Sequence, residues 1–79
     1  FKPTEDAHHL YPRDFSDEFF EARIRVDDAV NGIAMDAKLH RSRAYAYNKM
    51  WKEVINKINK RNVRKYMKKF MKKVYGIDV

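Results

Sequence analysis

Seventy-nine residues allow one small domain, and at that size burial is marginal unless something supplements it. Cysteine is absent, which excludes disulfides and thiolate metal sites. The net charge of +7 is unevenly spread: residues 1–37 carry four Lys/Arg against nine Asp/Glu, whereas residues 38–79 carry fourteen against two. A chain so polarised folds its acidic part onto its basic part or offers the basic part to an anionic partner. It has no apolar run of about 18 residues, so no membrane span is expected, and no secretory or transit segment is evident.

In chain order, residues 1–15 read as an extended arm. Pro3 and Pro12 disfavour helix at the residues before them, and the stretch between them has no period. Adjacent His8 and His9 suggest a metal, but neighbouring side chains diverge on an extended chain and no further histidine is close in sequence. Solvent or an interface is the expected surrounding for them, and no metal or cofactor is expected.

A helix is predicted from Ser16, whose hydroxyl can cap it, with Phe15 and Phe20 as a hydrophobic staple. Asp17, Glu18 and Glu21 suit its positive end. Phe19, Ala22, Val26, Ala29, Val30 and Ile33 would form its apolar face, and Asn31-Gly32 its stop. A competing series runs through the stop: Val26, Val30, Ile33, Ala37, His40, Ala44, Tyr47, Trp51, Val54 and Ile58 alternate spacings of four and three. A helix continuing through Gly32 would cost only about 1 kcal/mol there, but a break is expected. On this series His40 reads as a core or boundary histidine.

The second helix is predicted from Ile33 or Ala34 to about Asn59, with Asn62 able to cap a separate third helix to Tyr75; no glycine or proline lies between them, and one unbroken helix is the alternative. Each carries one apolar stripe: Tyr47, Met50, Trp51, Val54, Ile55 and Ile58 in the second, then Val63, Tyr66, Met67, Phe70, Met71 and Val74 in the third. Between Ile58 and Val63 the spacing is five, which would turn the stripes to opposite sides of one continuous helix. Gly76 and Ile77 look like a glycine C-cap with its apolar contact.

The back of the third stripe is a block of cations, Arg64, Lys65, Lys68, Lys69, Lys72 and Lys73, uninterrupted by acid. The usual glutamate partners at four-residue spacing are missing, so these charges repel one another unless an anion covers them. They are the expected contacts to an anionic partner. Tyr47, Trp51, Tyr66 and Phe70 are the expected apolar docking residues, with core packing their alternative role. Nothing marks a nucleophile or a phosphate-cradling loop, so neither an enzyme nor a small-molecule substrate is expected.

These features predict an all-α fold: an arm over residues 1–15, then a single helical domain over 16–79, a hairpin with a projecting basic last helix. In general type the chain resembles the short basic supernumerary subunits of organellar assemblies, respiratory complexes or ribosomes. The resemblance is one of style and carries no residue roles. The expected function is a non-enzymatic accessory subunit docking on protein, RNA or lipid headgroups. Its expected setting is intracellular, in a mitochondrion or another organelle, peripheral to a membrane complex or ribosome. The alternative is a basic nucleic-acid-binding module contacting phosphates through the last helix.

Overall fold

A computed structural model describes residues 3–79; Phe1 and Lys2, the start of the expected arm, lie outside the described residues. The fold is mixed α/β rather than all-α. Strand β1 (Glu5–His9) pairs antiparallel with β2 (Gly32–Asp36) in the register Asp6↔Met35 and His8↔Ile33. Helix α1 (Ser16–Glu21) lies in the connection between the strands, and α2 (Ala37–Val54) and α3 (Val63–Tyr75) follow. The arm therefore has regular structure. Nothing in Glu-Asp-Ala-His-His favours a strand by propensity; β1 exists because β2, far along the chain, supplies its hydrogen-bond ladder.

The first helix is shorter than its apolar pattern suggests. It ends at Glu21 because Arg23 turns into the left-handed region (φ 64°), allowing the Ile24 N–H to bond back to the Phe19 carbonyl at 2.9 Å. Nor does Ser16 cap it: Phe15 holds the cap position and no side chain bonds the free donors. The chain does break at Gly32, but as extended backbone (φ −131°) entering β2 rather than as a helix cap. Val30, a member of the competing series, stands in solvent.

Helix α2 is capped by Asp36, whose carboxylate accepts from the Leu39 N–H at 3.0 Å. After Val54 the chain turns, and the Asn59 side chain accepts from the Arg61 N–H at 2.9 Å before α3 begins. This turn corrects the expectation of opposed stripes. It reverses the chain, so the guanidinium of Arg43 in α2 reaches the Val74 carbonyl near the end of α3 at 2.6 Å. Both stripes consequently enter one core, and α3 does not project. Its end matches expectation: Gly76 is left-handed (φ 69°), its N–H bonds the Lys72 carbonyl, and the Ile77 N–H bonds that of Met71.

At the centre of the core is Trp51, with no exposed surface. The rings of Phe19 from α1 and Phe70 from α3 meet it edge-on at 4.9 and 5.1 Å. Tyr11, from the connection after β1, adds its ring at 6.1 Å. Edge-to-face pairs of this kind contribute beyond their buried area.

Trp51→Ala removes the shared partner of three rings. It is expected to cost about 3–5 kcal/mol, most of the stability of a domain this small, and to abolish the cooperative thermal transition followed by circular dichroism. Arg23→Gly acts the other way. Relieving a side chain at positive φ should raise stability by about 1 kcal/mol, read as a higher denaturation midpoint with unchanged slope.

Candidate functional site

Two histidines far apart in sequence, His8 and His40, are brought together by the fold beside the sheet, with His9 on the opposite face of the strand. Side chains alternate along β1, so Asp6 and His8 face α2 while Ala7 and His9 face the other way. Asp36 fixes the start of α2 directly after β2, and the first turn of that helix then presents His40 to β1. The His8 and His40 rings lie 5.1 Å apart, nearly perpendicular. This overturns the reason for setting the histidine pair aside, namely that no further histidine was near.

The Asp6 carboxylate joins the cluster, with His40 Nδ1 at 3.2 Å and Arg41 Nε at 3.3 Å. The hydrogen bond from His40 holds the Asp6 carboxyl below its usual range; burial opposes this and Arg41 adds to it. His8 is enclosed. The rings of Tyr47 and Tyr75 stand 4.8 and 4.9 Å from it, and its Nε2 has no hydrogen-bond partner among the described residues. Burial pushes its pKa down to about 4, with His40 and His9 contributing, so the ring is neutral at pH 7.

His9 faces a separate loop. Its Nε2 lies 3.1 Å from the Asp27 carboxylate, which Arg13 Nε also approaches at 3.4 Å. Asn31 fixes the loop that carries Asp27. Its side-chain amide donates to the Arg25 carbonyl at 2.8 Å, while its own carbonyl accepts from the Leu10 N–H at 2.9 Å. Asn31 is thus a positioning residue, which sequence reasoning took for part of a helix stop. A cleft of about 190 Å³ opens over the group, walled by His8, His9, Arg13 and His40.

Such a set can do acid–base chemistry on an anion. When His9 Nε2 carries the proton that Asp27 accepts, Nδ1 is left as a free base, and Arg13 supplies positive charge beside it. Two imidazoles and a carboxylate, His8, His40 and Asp6, are also donor types that divalent cations take. In this arrangement they engage one another, and no three His, Cys, Asp or Glu side chains among the described residues converge in a metal-holding geometry.

The structure places the sequence-derived site residues elsewhere. Arg64, Lys65, Lys68, Lys69, Lys72 and Lys73 are all exposed along α3; Lys72 pairs with Asp78 at 3.2 Å, and the Lys69 ammonium lies 5.9 Å from the Tyr66 ring. Of the expected docking residues, Tyr47, Trp51 and Phe70 are in this chain's own core and only Tyr66 is partly open. The Tyr47 hydroxyl donates to the Leu10 carbonyl at 2.5 Å, tying α2 to the end of β1. No helix among the described residues is long and apolar enough to cross a membrane. Comparison with protein-family models, curated proteins and solved structures returns no match.

His8 makes stability depend on pH. Unfolded, it takes a proton near pH 6.5; folded, only near pH 4. The stability this site contributes is complete above about pH 6.5 and is lost as pH falls toward 4, by about 3 kcal/mol in all. Denaturation curves at pH 7.5 and 4.5 should show that loss, and His8→Phe, which has no proton to take, should show a smaller one.

Proposed function

We propose that the protein acts on nucleic acid and hydrolyses a phosphodiester at the histidine cleft. The observation that carries this reading is the meeting of His40 with His8 beside a cleft that His9 and Arg13 also line, on a domain of net charge +7. In the proposed step His9 takes a proton from water, and the water oxygen forms a bond to phosphorus as the bond to the leaving sugar oxygen breaks. That oxygen takes up a proton from solvent, and His9 returns to solvent the one it accepted. Arg13 offsets the charge gathering on the phosphoryl oxygens, and Asp27 holds the imidazole in orientation. The cations of α3 raise the local concentration of a polyanion without reading its sequence.

An accessory subunit docking on a larger assembly is the second reading. The exposed rings and branches of Phe20 and Val30 favour it, whereas burial of Tyr47, Trp51 and Phe70 removes the anchors it relied on.

Labelled DNA and RNA, each incubated with the purified chain in EDTA and with magnesium, manganese or zinc, test the proposal. Cleavage is expected in at least one condition, with His9→Ala slower by about 10²–10⁴-fold, the usual contribution of a general base, and folding unchanged. A chain that binds these polymers but cleaves none of them under any condition would leave only a binding role.

A further inference from the structure

On the outward side of α2 a second groove adjoins the histidine cleft. It is open, about 660 Å³ in volume, and shares Asp14 and Asn48 with the cleft's lining, so the two lie side by side. Tyr45 dominates it. This ring is 78 % exposed and touches no other ring among the described residues, an unusual position for so large an apolar surface. Helical spacing sets Lys49 and Lys52 beside it, one and two turns on, and Lys57 closes the same groove.

The geometry points to single-stranded nucleic acid as the occupant: an unpaired base stacks on Tyr45, the phosphates on one side of it lie along Lys49, Lys52 and Lys57, and the strand on its other side leads to the histidine cleft. The inference rests on the nucleic-acid reading above and names its substrate class. An aromatic face set among lysines binds bases in any sequence, because every base has a π-face, but only when that base is free of a duplex stack. The groove also contains two carboxylates, Asp14 and Glu53, which would be out of place in a trough for phosphates alone. Beside a stacked base, together with Asn48, they are acceptors and donors for its exposed edge. A duplex offers neither that face nor that edge here.

The experiment measures binding apart from cleavage. The 79-residue chain carrying His9→Ala, in EDTA, is titrated into short fluorescent single-stranded DNA and RNA and into duplexes of the same length, with anisotropy as the readout. Single strands are expected to bind more tightly than duplexes. Tyr45→Ala should weaken single-strand binding by about 5- to 100-fold and leave duplex binding unchanged. Tyr45→Trp should retain it, and circular dichroism should be the same for all variants because the ring is exposed. Equal affinity for single strands and duplexes, or an unchanged single-strand affinity in Tyr45→Ala, overturns the inference. Selective binding with the expected Tyr45 effect, but without cleavage by the native chain, supports it while removing the hydrolytic reading.

Discussion

The edge-on packing of Phe19 and Phe70 against Trp51 is the contact on which the remaining structure depends. Each of the three helices brings one ring to this point, and α1, at six residues, is too short to hold its shape without it. Tyr11 meets the same group and leads directly back to β1, while Tyr47, one turn before Trp51, bonds the Leu10 carbonyl. The aromatic junction therefore fixes where the first strand lies on α2. That placement in turn decides whether His8 meets His40.

The two halves of the chain use charge in different ways. In the acidic half, Asp6 engages His40 and Arg41, Asp27 engages His9 and Arg13, and Glu21 engages Lys60. Its carboxylates thus orient particular side chains. Along α3, among the described residues, only Lys72 finds an acid, and the other cations face solvent. Exposed pairs of this sort add little stability, so the cationic surface is better understood through the long-range field it creates than through the fold.

Sequence periodicity revealed those features that one or two helical turns determine. The stripe of α3 and the glycine cap at Gly76 are local and occur as read. Helix α2, by contrast, runs only from Ala37 to Val54, shorter than the span expected from Ile33 or Ala34 to Asn59, and Ile55 and Ile58 of its stripe fall in the turn after it. The strand pair was hidden because its cause is not local: Glu5–His9 lacks strand propensity, and Ile33, which alternates with Met35, also falls on a helical series with Val30 and Ala37. Val30 completed a helical series by coincidence and is exposed. Direction was lost as well as pairing. Spacing placed the two stripes on opposite sides, and a turn that bends the backbone brought them face to face. The histidine cluster was illegible for the same reason, since 32 positions separate His8 from His40 and only the register of β1 on β2 joins them. The nearest available hint was the pair His8-His9 itself.

The wall of Tyr75 against His8 joins positions 67 residues apart. His8 leaves the ribosome well before Tyr75 is made, so the Tyr75 wall cannot cover the histidine until the segment between them has been synthesised. Its burial, and with it the neutral state that burial imposes, arises only when the final turn of α3 closes onto the sheet. A chain that stops before Tyr75 thus carries all three histidines but lacks the wall that helps enclose His8. Assembly of the cleft is timed to the completion of the domain.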